Sequence, residues 1–278
     1  MTSGPTPESA AAAPGPAPVS GGVQRPKSGF FTNLRSFYHW IVCGTYFFAI
    51  CPTLIIRSLF VDPRKHDRPQ RKFTKRLMRL AGARIETRLA PGYDPSRTCF
   101  FIVNHVNLFD PFVLYCAIPQ FIRGLELESH FEIPAYGWMM KRFGNVPVPA
   151  THRPADLKRM WRLTQEAIDS GISLVVFPEG QRTLTGRVGP FKNGVFRMAL
   201  QTGTPIVPVS VVGSFEFNNK LGWGLRSGPI VVYLHDTIET ASLDKEKDLG
   251  ALRDRVREIV ARPIDEYYSQ MQEVESRS

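Results

Sequence analysis

A chain of 278 residues, 43% hydrophobic and 22% charged, holds enough apolar side chain for a sizeable core, which excludes a disordered or collagen-like protein. The 35 Lys and Arg against 25 Asp and Glu leave a net charge of +10, which calls for an anionic partner without naming it. Cys43, Cys51, Cys99 and Cys116 lie in apolar surroundings with no Cys-x-x-Cys spacing, which argues against a zinc site or a disulfide framework and for a reducing compartment.

Residues 1–22 contain 17 Ala, Pro, Gly or Ser and cannot bury enough apolar surface to offset the entropy of ordering, so a disordered Ala/Pro-rich tail is expected over 1–30. Residues 37–56 then form an uncharged run about as long as a hydrocarbon core is thick. It begins too far into the chain for a signal peptide. Between Arg57 and Arg88 eleven Lys or Arg face three acids, so most of the net charge sits directly after the apolar run. A membrane-associated helical segment with a basic flank is expected over 31–72, with the cations drawn to anionic headgroups. Two dispositions stay open: a span, which the flanking cations orient with the rest of the chain in the cytoplasm, and a helix dipping into one leaflet, kinked at Pro52. The Ala/Pro-rich tail and the single compact domain suit a bacterial inner membrane.

From residue 73 to 278 the pattern is α/β. Phe73, Leu77 and Leu80 recur at helical spacing before Gly82. Apolar runs at 98–103, 173–177, 206–212 and 230–234 read as strands covered on both faces, giving a mixed, largely parallel sheet flanked by helices. Helices are expected at 155–170, at 192–202 ending before Gly203, and at 246–261 stopping near Pro263.

Polar residues concentrate where two of these strands end, the usual place for ligands in α/β sheets. Asn104, His105 and Asp110 follow the first strand, and Pro178-Glu179-Gly180-Gln181-Arg182 follows the second. An Asp five residues after a His can accept one ring N–H and leave the other nitrogen as a base. No Gly-x-Ser-x-Gly elbow supplies a serine nucleophile, so the pair suits activation of a substrate hydroxyl. Cys116, within Val-Leu-Tyr-Cys-Ala-Ile, reads as a small buried hydrophobe. Only one His lies near the acids, so no metal is expected. Trp138, Phe143 and Trp161 read mainly as core.

These motifs resemble the glycerolipid acyltransferases over residues 73–235, so the resemblance makes 73–278 the acyltransferase domain. Asn104, His105 and Asp110 match the family's Asn-His-x-Ser-x-x-Asp block, with Asn107 where Ser is usual. Phe177-Pro178-Glu179-Gly180-Gln181-Arg182, Phe191-Lys192-Asn193-Gly194 and Thr204-Pro205-Ile206-Val207-Pro208-Val209 match later blocks. The resemblance implies that His105 deprotonates an acceptor hydroxyl and that Asp110 orients it. It implies that Asn104, Glu179, Gly180, Arg182 and Lys192 bind substrate. The expected reaction is acyl transfer from acyl-CoA or acyl carrier protein, as co-substrate and with no cofactor, to a lysophospholipid, first 1-acyl-glycerol-3-phosphate. Ile133-Pro134-x-x-Gly137 and Gly144-x-Val146-x-Val148 match a further block, but the two cations the family associates with acceptor phosphate are replaced by Leu127 and Ala150. Arg153 and His130 lie near enough in sequence to substitute. A lysophospholipid with a larger headgroup, or a lyso-ornithine lipid, is the alternative acceptor. Membrane phospholipids are expected partners. A nucleic-acid-binding module is a rival reading of the basic run, disfavoured because no groove-reading helix or aromatic stacking motif accompanies it. An inactive membrane scaffold is disfavoured because His105 and Asp110 are both present.

Overall fold

The structure is a computed structural model that describes residues 29–63, 67–151 and 153–277. The expected tail at 1–30 falls almost wholly outside those residues, as do Arg64 and Lys65 of the basic run. Seven strands form one sheet: β1 (Ala83–Leu89), β2 (Phe100–Val103), β3 (Ile122–Leu127), β4 (Val146–Val148), β5 (Ser173–Val176), β6 (Ile206–Val212) and β7 (Gly228–Leu234). Their order is β1-β7-β6-β2-β5-β3-β4, parallel throughout except where β6 meets β7. Phe101 pairs with both Val175 and Val207, which places β2 between β5 and β6 at the centre. β2, β5 and β6 are buried along their whole length, as their unbroken apolar runs require.

Successive side chains of a strand point to opposite faces, and the core divides accordingly. Phe101, Val103, Val175 and Val207 face one cluster, which is completed by α1 (Phe30–Phe60), α2 (Arg68–Leu80), α3 (Asp110–Ala117) and α4 (Tyr136–Phe143). Phe100, Ile102, Leu174 and Val176 face a second, completed by α5 (Pro154–Asp169), α6 (Gly194–Thr202) and α8 (Leu249–Arg277). A one-turn helix, α7 (Ser214–Phe217), follows β6.

Several expectations need correction. The boundary at 72/73 falls inside α2, which packs Phe73, Leu77 and Met78 into the same cluster as Cys43, Cys51 and Leu54 of α1. The first helices and the sheet therefore share one core. The last helix runs through Pro263 to Arg277: a proline removes one N–H and crowds the preceding turn, but Val256 and Val260 before it and Ile264 and Tyr268 after it are all buried, holding both halves in place. β1, β3 and β4 escape the search for continuous apolar runs because Arg84, Glu86 and Arg88 interrupt the first, Arg123 and Gly124 the second, and the third is a three-residue edge strand. Trp138 is 61% exposed rather than core, whereas Phe143 and Trp161 are partly buried.

Gly137 illustrates why a motif glycine is needed in this fold. A Cβ there would lie 2.2 Å from the carbonyl oxygen of Phe131, so the second motif block allows α4 to pack directly against the preceding turn.

Candidate active site

β2 and β5 are parallel neighbours, so the loops leaving their carboxyl ends emerge side by side. These loops carry the two strongest sequence motifs. His105 Nδ1 lies 2.9 Å from Asp110 Oδ2, and the same oxygen accepts the backbone N–H of Val106 at 2.6 Å and of Asn107 at 3.0 Å. Two fixed donors make Oδ2 an acceptor, so the ring proton resides on Nδ1 and the lone pair on Nε2. Nε2 has no protein partner among the described residues, and the His105 side chain is 24% exposed while that of Asp110 is fully buried. The Phe177 ring stacks on the imidazole with centroids 4.2 Å apart, which fixes its plane.

Asp110 opens α3, with Pro111 immediately behind it in the first turn, where a missing N–H costs nothing. Its second oxygen, Oδ1, accepts from Ser214 Oγ at 3.3 Å. Asn107 completes this arrangement. Its Oδ1 accepts the Phe109 N–H at 2.7 Å, and its Nδ2 donates to Ser214 Oγ at 2.8 Å and to the Ser214 carbonyl at 2.9 Å. Ser214 lies in no motif; the only sequence signal for it is that it follows β6 and Gly213, at the same sheet edge.

Two of the residues expected to bind substrate have other work. Asn104 is buried, with Nδ2 donating to the Val211 carbonyl at 3.1 Å and Oδ1 accepting the Val211 N–H at 2.8 Å, which ties the end of β2 to β6. Glu179 Oε1 accepts the His105 N–H at 2.7 Å, and Oε2 accepts the Gly189 N–H at 2.9 Å. Burial pushes the Glu179 carboxyl up from its ordinary range, and these two backbone donors act against that shift. Glu179 is thus a brace between the two motif loops, with both oxygens occupied before any ligand arrives.

Gly180, Arg182 and Lys192 lie in and after the second motif loop. A Cβ on Gly180, whose φ is +71°, would lie 2.6 Å from Lys192 Nζ, so the glycine makes room for the ammonium. Arg182 is half-buried with no hydrogen bond or ion pair among the described residues. The adjacent Thr183 N–H donates to the His105 carbonyl at 2.9 Å, which fastens this loop beside the imidazole. Of the other cations considered, Arg153 is exposed at the start of α5 and His130 is already bonded to Glu126. Burial raises the Cys116 thiol to about 11, leaving it a poor nucleophile. No group of three or more His, Cys, Asp or Glu able to hold a metal occurs among the described residues.

A largely apolar cavity of about 100 Å³ lies on the other side of Phe177, the ring that stacks on the imidazole. Pro111 and Phe177 line it next to His105 and Asp110, and Phe73, Phe112, Met140 and Phe143 extend it toward α1 and α2.

Comparison with known proteins places this arrangement in context. The family model described as Acyltransferase matches residues 76–212, the stretch holding every motif residue above. A chloroplastic 1-acyl-sn-glycerol-3-phosphate acyltransferase of Brassica napus is 31% identical over 147 residues, 52% of this chain and 42% of that protein. The enzyme of that name from Pseudomonas aeruginosa is 26% identical over 194 residues, 69% of this chain and 73% of that one. This chain spans less than half the length of the plant relatives it matches. The crystal structure of the 1-acyl-sn-glycerophosphate acyltransferase from Thermotoga maritima superposes with a TM-score of 0.72 at 23% identity, covering 86% of this chain and 96% of that one, and so shares the fold. With the motif loops on neighbouring strand ends and the Acyltransferase family model spanning both, the chain is similar to the glycerolipid acyltransferases in motif and to the Thermotoga maritima structure in fold.

Proposed function

We propose that the protein transfers a fatty acyl group from a thioester donor to the free hydroxyl of a membrane lysophospholipid. The observation that carries this reading is the pair of His105 and Asp110, with Nδ1 held at 2.9 Å and Nε2 left open to the cleft. His105 Nε2 takes the hydroxyl proton as the acceptor oxygen attacks the thioester carbonyl carbon. The tetrahedral adduct collapses with cleavage of the C–S bond. The departing sulfur takes the proton from the imidazolium, leaving an ester and a free thiol. Asp110, fixed by backbone donors, stabilises the imidazolium between the two steps. No acyl-enzyme forms and no cofactor takes part; acyl-CoA or acyl carrier protein is the co-substrate.

Arg182 and Lys192 supply the positive charge for an anionic headgroup, Arg182 through two parallel N–H bonds. The leading acceptor is 1-acyl-glycerol-3-phosphate, giving phosphatidate, in keeping with the names of the relatives. The apolar cavity suits part of the donor's acyl chain, because Phe177 and Pro111 at its wall adjoin His105 and Asp110 and its walls are mostly hydrocarbon. A second acceptor class, a lysophospholipid with a larger headgroup or a lyso-ornithine lipid, is favoured by exposed Leu127 and Ala150 standing where the family resemblance implies cations.

The membrane disposition follows from α1. It is long and apolar enough to cross a bilayer, yet Ser36, Cys43, Cys51, Leu54 and Ser58 along one side are buried against the rest of the chain. That contact stripe runs over 23 residues from Ser36 to Ser58, about 33 Å of helix. A helix held against a folded domain over such a length lies along the membrane surface, with Leu34, Ile41, Phe48 and Ile56 of the opposite side in lipid. The cations of α2 then meet anionic headgroups, and the catalytic domain rests on the cytoplasmic side of a bacterial inner membrane.

Initial rates against a panel of lyso-lipids test this function. Wild type is expected to acylate lysophosphatidate, and Arg182→Lys to raise the acceptor KM more than the donor KM, because an ammonium cannot reproduce the guanidinium fork. Turnover only with another lyso-lipid favours the second acceptor class. No turnover with any of them defeats the reading.

A further inference from the structure

We infer that the loop between α7 and β7, through Leu221 and Trp223, is a second lipid-contacting element that seats the catalytic cleft on the bilayer. The inference rests on the membrane disposition of α1 and extends it to residues no motif touches.

The loop is rigidly tied to both neighbours. Trp40 Nε1 donates to the Trp223 carbonyl at 2.7 Å, and the Leu225 N–H donates to Ser36 Oγ at 3.0 Å, joining the loop to the first turns of α1. Within it, Asn218 Nδ2 donates to the Gly224 carbonyl at 3.1 Å and the Leu221 N–H donates to Asn219 Oδ1 at 3.1 Å. At its start, Asn107 Nδ2 donates to the Asn218 carbonyl at 3.3 Å, two residues from His105. The Trp40 ring also packs 5.6 Å from that of Phe109. α1, the loop and the catalytic turn therefore keep one fixed geometry.

With its backbone so occupied, the loop still presents large apolar side chains outward. Leu221 is 58% exposed and Trp223 49%, beside an α1 whose Phe37 and Ile41 are also more than half exposed. Internal packing does not require this exposure, and large apolar side chains left outward on two elements tied to each other mark an interaction surface. A bilayer is the occupant that fits. The patch continues the apolar side of α1. It combines a Trp with the neighbouring exposed Lys220, a pairing suited to the headgroup boundary. It also lies next to the turn that must receive an acceptor whose own acyl chain is anchored in lipid. A fixed loop in the leaflet sets the height of His105 above the membrane, so that a headgroup hydroxyl meets Nε2 without leaving the bilayer.

The test uses the full chain and vesicles of equal parts phosphatidylglycerol and phosphatidylcholine, with and without bromine-labelled acyl chains. Brominated lipid is expected to quench wild-type fluorescence, and Trp223→Phe to lose a distinct share of that quenching while remaining bound. Leu221→Ser/Trp223→Ser, which spares the backbone bond to Trp40, is expected to lower vesicle partitioning on the order of ten-fold. Its turnover of a vesicle-embedded acceptor should fall, and its turnover of a short-chain, water-soluble acceptor should not. A Phe37→Ser/Ile41→Ser variant separates the two claims. If it loses binding while the loop variant binds and is quenched as wild type, α1 stands and the loop proposal is overturned. If wild type itself ignores the vesicles, the membrane disposition of α1 falls and the loop proposal with it.

Discussion

Both oxygens of Asp110 are engaged: His105 and two backbone N–H groups on one, and the Ser214 hydroxyl on the other. In a fully buried carboxylate the fourth donor matters, because a hydrogen bond to a charged group contributes about 1.5–3 kcal/mol and nothing from solvent replaces it. Ser214→Ala is therefore expected to lower kcat by about 10- to 100-fold with little change in either KM, since the hydroxyl acts on the base through Asp110 and touches no substrate. Steady-state kinetics reads this split; an unchanged kcat removes Ser214 from the machinery. The comparison of sequence with structure is sharpest at this scale. Spacing only allowed Asp110 to accept a ring N–H of His105, and the family resemblance implied the orienting role; five residues across a turn bring the two within 2.9 Å. The bracing contacts of Asn104 and Glu179 were hidden, because their partners Val211 and Gly189 are distant or unremarkable in sequence. Ser214 was hidden for the same reason, being 104 residues from Asp110.

At the scale of elements, the central strands were legible because burial on both faces demands unbroken apolar runs; edge strand β1 was not because solvent tolerates its charges, and edge strand β4 was not because it is only three residues long. Pro263 misled for a related reason: local chemistry ends a helix there, and packing on both sides of it carries the helix on. The second motif block shows how a local signal can have a tertiary cause. Gly137→Ala would press a methyl group into the backbone of Phe131, with 2.4 Å to its carbonyl carbon, and neither partner is a flexible side chain. A loss of about 1–3 kcal/mol in unfolding free energy is expected. Denaturant titration at unchanged slope measures it, and a wild-type midpoint contradicts the packing argument.

At the scale of the whole molecule, charge and hydrophobicity divide between two helices that share one core. α1 turns apolar residues outward, while α2 buries Phe73 and Leu77 and exposes Lys72, Lys75, Arg76 and Arg79. Arg71 is not among these free cations, because it pairs with Asp67 and donates to the carbonyls of Tyr115, Ile118 and Gln120. Reversing Lys72, Lys75 and Arg76 to Glu is expected to weaken binding to anionic vesicles by about 1 kcal/mol or more per site, with a smaller effect on neutral vesicles and a difference that added salt erodes. Flotation assays at two salt concentrations measure this, and equal binding of the variant to both kinds of vesicle at low salt contradicts it. All of these elements serve one proposed event, removal of a hydroxyl proton by His105 at the edge of the bilayer. The most direct measurement is the single-turnover rate of acyl transfer to a vesicle-embedded lyso-lipid by purified wild type and His105→Ala, with equal membrane binding and matched circular dichroism. The account predicts a loss of about 10²–10⁴ in rate. Turnover by the variant near that of wild type would contradict it.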